Sequence, residues 1–258
     1  MIGIGNLEAV LAELGHGDLL AALLLAPVVG SFLATLVVRA PAMGAVLTGR
    51  SRCDGCGTQL GALELVPLAS WLALRGRCRH CSAAIDPVHP AIEAGCLLLA
   101  ALAGVIFTGW MLAFACALGW LLLTLAAIDL RTGLLPDPLV LAVAVIGLGG
   151  GILLAPETVA DRLIGGALGA GVLAGVAVAF ARLRGREGLG LGDVKLIGAL
   201  GLWVGWQGLP WVILLSSMGG LAYAALRLML RRPVAQDEEL PFGPFLALAG
   251  WLVWLYLA

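Results

Sequence analysis

Met111-Leu-Ala-Phe-Ala-Cys-Ala-Leu-Gly-Trp-Leu-Leu-Leu-Thr-Leu-Ala-Ala-Ile128 runs 18 residues without a charge and ends against Asp129. A run of that length and apolarity spans a bilayer core as a helix. The pattern recurs at 19–38, 91–108, 139–155, 162–181, 194–209, 211–230 and 242–258. The expected fold is therefore all-α: a polytopic membrane helix bundle of about eight transmembrane helices. The segment at 194–209 is short and Gly-rich, and a re-entrant course is its alternative. Hydrophobic residues make up 61% of the chain and charged residues 12%, which excludes an ordinary soluble domain. A net charge of −1 leaves no basic field for nucleic acid, so no such partner is expected. The 37 glycines suit close helix approach in lipid, and the eight tryptophans suit anchoring at its interfaces. Residues 1–18 carry Glu8, Glu13 and Asp18 in place of a basic leading segment, so no cleavable signal is expected.

Charge placement orients the bundle. Eight spans with the N-terminus outside put 39–90, 129–138, 182–193 and 227–241 in the cytoplasm. Of the 15 Lys and Arg, all but Arg162 fall at those faces. That is the positive-inside asymmetry, and it argues against a re-entrant sixth segment. Both termini are expected outside, and Asp129 and Asp193 at the cytoplasmic face.

The one sizeable polar insert, 39–90, is too small to hold a core without a staple. It carries Cys53-Asp-Gly-Cys56 and Cys78-Arg-His-Cys81, 21 residues apart. Two such knuckles match a four-cysteine zinc site, with Cys53, Cys56, Cys78 and Cys81 as ligands. Gly55 and Gly57 ease the first turn. A closed shell of four sulfurs has no open position for water, so the metal's role is structural. A redox pair or free thiols are the alternatives. His80 reads as a solvated loop residue, and Cys96 and Cys116 as small buried hydrophobes.

Asp129 and Asp193 carry the chemistry. An ionisable group near bilayer depth costs about 2.5–3.5 kcal/mol on insertion scales, so it needs a reason to be there. Asp129 ends a helix whose dipole opposes it; an ion pair with Arg131 is the plainer reading. Asp193 sits in Gly190-Leu-Gly-Asp193, where glycines allow close backbone approach; a helix cap is its plainer reading. Two carboxylates at one face can share a proton and divide acid and base roles. Asp137-Pro138 reads as a helix start with Asp137 as the cap. Lys195 is a partner for Asp193 or for lipid phosphate. Arg75, Arg77 and Arg79 suit anionic lipid, and Asp237-Glu-Glu239 is either a solvated loop or an attractor of basic peptide.

Taken together these motifs resemble the type IV prepilin peptidases, bacterial intramembrane aspartyl proteases. The likeness runs through Gly30-Ser-Phe-Leu33 and Arg39-Ala-Pro41. It continues with the two cysteine knuckles, Glu64-Leu-Val-Pro67, Ser70-Trp71, Leu74-Arg-Gly-Arg-Cys78, Pro90 and Glu93. Asp129 with Leu134-Leu-Pro-Asp137, then Gly190-Leu-Gly-Asp193-Val-Lys195, are similar to the two aspartate motifs. Pro241-Phe-Gly-Pro244 is similar to the motif before the last helix. The chain departs from the pattern at Ala34, where the family has Asn, and at Val88-His89-Pro90, where it has Arg-Tyr-Pro.

The resemblance implies cleavage of short basic leaders from prepilins or pseudopilins at the cytoplasmic side of the bacterial inner membrane. Asp129 and Asp193 match the catalytic aspartates. It also implies N-methylation of the new N-terminus from S-adenosylmethionine, with residues 1–90 associated with methylation and 91–258 forming the peptidase core. No Rossmann-type glycine loop marks a place for that donor. The competing readings are a proton-coupled transporter or channel using the aspartates as relays, and a zinc-stabilised scaffold without chemistry.

Overall fold

The computed structural model describes residues 4–40, 51–185, 190–230 and 241–258, with side chains from Gly17 onward except that of Arg184. Pro41, Arg50, Arg186, Arg231, Arg232 and the acidic run Asp237–Glu239 lie outside the described residues, as do the side chains of Glu8 and Glu13. Among the described residues every regular element is helical. The helices are α1 (Ile4–Arg39), α2 (Ala69–Ala73), α3 (Val88–Ile106), α4 (Gly109–Thr132), α5 (Asp137–Leu154), α6 (Val159–Arg184), α7 (Leu191–Met229) and α8 (Gly243–Leu257). Six of them are long and apolar enough to cross a membrane, and α8 is a shorter apolar helix.

The expected count of about eight spans is recovered inside α7. A straight 39-residue helix would be about 58 Å long, nearly twice the hydrocarbon core. It is not straight: Gly205 has φ 68° and ψ 177°, which breaks the helix into two arms. The break falls at Gly205, ahead of the boundary near 210 read from hydropathy. Glycine adopts that positive φ without the Cβ clash other residues meet, whereas hydropathy marks only polarity.

The chain forms two compact units, Met1–Trp120 and Leu121–Ala258. In the first, α1 packs along α3. Ala26, Leu33, Ala34 and Val37 are buried on α1, and Ile92, Cys96, Ala100 and Ala103 on α3. Both sets follow helical spacing. The backbones come close at Gly30, where a Cβ would lie 2.8 Å from Glu93 Cα. The Trp120 indole N–H donates to Cys96 O at 2.9 Å. Cys96 and Cys116 are buried, as small apolar side chains should be.

In the second unit α6 and α7 meet along a seam of glycines. A Cβ on Gly201 would lie 2.4 Å from Gly165 C and O, and one on Gly169 2.9 Å from Ile197 O. Lipid gives no hydrophobic drive between helices, so such backbone-to-backbone contact is what binds them. Gly201→Ala is expected to cost about 1–3 kcal/mol, because backbone cannot swing aside as a side chain can. An unchanged thermal midpoint in detergent would contradict this. Arg162, the lone basic residue placed outside, is held within the bundle. Its Nε donates to Thr158 Oγ1 at 2.8 Å and its Nη1 to Leu202 O at 3.3 Å.

Candidate active site

Asp129 lies in the last turn of α4 and is only 7% exposed. Gly243, the first residue of α8, donates its N–H to Asp129 Oδ2 at 3.0 Å. The first amides of any helix lack an internal partner, and here one of them meets a buried carboxylate. The positive end of α8 thereby offsets the unfavourable end of α4. Only glycine fits: a Cβ at residue 243 would lie 2.7 Å from Oδ2.

Asp193 is the third residue of α7 and is half-buried. It is not the cap of that helix; Gly190 is, and no side chain closes the turn. Its carboxylate takes no hydrogen bond among the described residues. Its charge and that of Asp129 lie close enough to interact. The two flanking glycines have separate reasons. A Cβ at Gly192 would press Leu135 Cβ at 3.0 Å, and one at Gly190 would touch Asp193 Oδ2 at 3.5 Å. The second unit thus brings together, on three helices, a carboxylate anchored by an amide and one with open oxygens.

Asp137 does not cap α5 as the sequence suggested. Pro136 occupies the cap, and Asp137 is the first helical residue without a capping bond. Its carboxylate pairs with Lys195 Nζ at 2.7 Å, so Lys195 is turned to neither expected partner. Both side chains are more than half exposed, and such a pair is worth about 0–1 kcal/mol.

The two cysteine knuckles repeat one geometry. The Cys53 N–H donates to Thr58 O at 2.9 Å, and the Cys78 N–H to Ala83 O at 2.8 Å. Gly57 and Ser82 return N–H groups to Cys53 O and Cys78 O, at 2.8 and 3.0 Å. Both residues are left-handed, at φ 69° and 59°, so Ser82 stands where the first knuckle uses glycine. The four sulfurs all lie within 4.8 Å of one another, and none forms a disulfide. Cys53 Sγ and Cys81 Sγ are 3.7 Å apart. A tetrahedral shell with Zn–S bonds of about 2.3 Å has edges of about 3.8 Å, so the residues fit zinc.

Their acidity is consistent with that fit. The Thr58 hydroxyl, then its backbone N–H, brings the Cys56 thiol down to about 6. The N–H groups of Cys81 and His80 lower Cys78. At Cys81 the Ala83 N–H favours the thiolate, but burial and the three neighbouring sulfurs prevail and push it to about 12. Four sulfurs this close cannot all ionise without a cation among them. His80 is not simply solvated; its Nε2 stands 3.3 Å from Glu64 Oε1.

Residues 24–107 match the Bacterial Peptidase A24 N-terminal domain, and residues 116–225 match the Type IV leader peptidase family. A prepilin leader peptidase/N-methyltransferase of Aeromonas hydrophila is 44% identical over 82% of this chain and 73% of its own length. Proteins of the same name in Stutzerimonas stutzeri and Burkholderia pseudomallei (strain 1026b) are 37% and 40% identical. They cover 92% and 94% of this chain, and 90% and 87% of their own lengths.

The chain belongs to the type IV leader peptidase family.

The family's N-terminal domain spans the four cysteines and Glu93, and its leader peptidase region spans Asp129 and Asp193. Gly243 lies beyond both, and sequence reasoning did not select it as a site residue. Its signal was Pro241-Phe-Gly-Pro244, where one glycine between prolines marks a helix start. No solved structure matches the chain. The transporter reading finds no support among these relatives.

Proposed function

We propose that this leader peptidase family member is a membrane aspartyl endopeptidase that removes the short basic leader from prepilins or pseudopilins. It acts at the cytoplasmic face of the inner membrane, with both termini periplasmic, as the distribution of Lys and Arg favours. The observation that carries the reading is the pair Asp129 and Asp193, the first locked by the Gly243 amide. One carboxylate, ionised, takes a proton from water as it attacks the scissile carbonyl. The other, protonated, donates a hydrogen bond to that carbonyl oxygen and then yields its proton toward the leaving amine.

The N-terminal region, residues 1–90, adds a methyl to the freed amine, and 91–258 form the peptidase core. Cys53, Cys56, Cys78 and Cys81 hold a structural zinc, which supplies folding free energy to the insert. S-adenosylmethionine, when bound, supplies an electrophilic methyl group on sulfur. The chain's own residues must hold that donor and exclude water.

Purified protein in detergent, incubated with a prepilin peptide, should yield one N-terminal truncation. With S-adenosylmethionine present the product should gain a single methyl. An uncut peptide overturns the peptidase reading; a cut but unmethylated one overturns the second activity alone. Gly243→Ala is expected to lower kcat/KM for cleavage at least about tenfold, since a 1 Å misplacement can cost a hundredfold. Wild-type rates in that variant would mean the amide contact does not position Asp129.

A further inference from the structure

The insert and the adjoining ends of α1 and α3 enclose a cavity of about 170 Å³, wholly within the first unit. Two buried polar atoms on its lining residues have no hydrogen-bond partner, Glu64 Oε1 and Trp71 Nε1. Buried polar groups are almost always paired, so this couple of one acceptor and one donor marks a place for a ligand. Neither group is loose. Glu64 Oε2 accepts from the Gly61 N–H at 2.8 Å, and the Trp71 ring lies against Gly76, where a Cβ would come within 3.1 Å. His80 Nε2 stands at ion-pair distance from Glu64 Oε1, 3.3 Å, but makes no hydrogen bond with it.

Glu93, 5% exposed, lines the same cavity. Its Oε2 accepts from the Leu68 N–H at 2.7 Å. Leu68 has φ 57°, a costly conformation for a bulky residue. Among the described residues, every non-glycine position with positive φ (Leu68, Arg75, Ser82) falls in this insert. Strain gathered in one segment is characteristic of sites where the backbone is held for a purpose.

The lining selects the ligand's chemistry. Glu64 and Glu93 beside the Trp71 indole, with Asp54 and Asp86 also in the wall, suit a cationic centre. Arg39, Arg52 and Arg79, also in the wall, suit a carboxylate. The Trp71 N–H requires an acceptor. A sulfonium amino acid carries all of these: a cationic sulfur, an ammonium and a carboxylate. A cavity near 150 Å³ holds a benzene-sized group, so this one takes one arm of a larger molecule.

We infer that the cavity receives the methionyl sulfonium arm of S-adenosylmethionine, with Glu64 and Trp71 as its specificity-determining contacts. The inference rests on the N-methylation reading and gives that activity a place in the molecule. Cys53 and Cys78 line the same cavity, so the cysteine cluster shapes its wall.

Binding of radiolabelled S-adenosylmethionine to the full chain in detergent, measured by equilibrium dialysis, tests the assignment. Glu64→Gln and Trp71→Phe should each weaken binding at least tenfold while the unfolding temperature stays near wild type. S-adenosylhomocysteine, which lacks the sulfonium charge, should bind wild type more weakly than the donor, and Glu64→Gln should narrow that gap. Glu64→Gln preserves side-chain volume, so it decides the matter even if Trp71→Phe disturbs the insert. Wild-type affinity in Glu64→Gln would overturn the site while leaving methylation intact. Wild-type protein that neither binds the donor nor methylates a cut peptide would remove the methylation reading, and this inference with it.

Discussion

Asp129→Asn and Asp193→Asn are each expected to lower leader cleavage by about a thousandfold or more while the protein stays folded. The size follows from groups that act as a unit, where losing one member costs nearly as much as losing all. For the same reason the double variant should be scarcely slower than either single one. The fold should persist because Asn keeps the volume of Asp and, at position 129, an oxygen to accept the Gly243 N–H at 3.0 Å. Methyl transfer to a peptide supplied already cut should survive both changes, since it needs neither carboxylate. The measurement is kcat/KM on a prepilin peptide, beside thermal unfolding in the same detergent. Retention of a tenth of wild-type activity in either variant would end the aspartyl mechanism.

The second large effect is expected on removing metal from the cysteine cluster. Little of the described part of the insert is buried: its 3-10 turn Ala62–Leu65 and α2 contain no buried residue, and within 51–86 only Gly76 and Cys78 are buried. A segment of this kind cannot repay its chain entropy without a cross-link. Structural zinc contributes about 10–16 kcal/mol of apparent free energy in isolated zinc-finger peptides, enough to decide whether such a loop folds. Chelation, or Cys78→Ser, should therefore expose residues 51–86 to protease and abolish donor binding. Wild-type protein should carry one zinc per chain, read by elemental analysis, and Cys78→Ser almost none. Equal protease resistance with and without metal would show that the knuckles stand without it.

Both of these sites were legible beforehand, and their surroundings were less so. Asp129 and Asp193 stand out in the sequence because charge is rare in a chain of 12% charged residues, so each needs a reason. The cysteines stand out because C-x-x-C spacing by itself brings two sulfurs to one edge of a tetrahedron. Local pattern served less well at Asp137. Asp-Pro reads as a cap and first turn, yet the cap is Pro136 and the carboxylate faces Lys195, 58 positions away. Glu64 and Trp71 appeared only as members of a family motif, since nothing in their neighbours along the chain shows which of their polar atoms lack a hydrogen bond.

Sequence alone determined that this is a helical membrane protein, with two isolated carboxylates and a four-sulfur staple. Hydropathy, charge asymmetry and short-range spacing are properties of the chain read locally, and each has a direct physical consequence. Tertiary structure decided the rest: the Gly205 break, the partner of Lys195, the Gly243 amide on Asp129 and the cavity atoms left without a hydrogen bond. Gly243 and Asp129 are 114 positions apart, and a hydrogen bond between them exists only once their helix ends have been packed together.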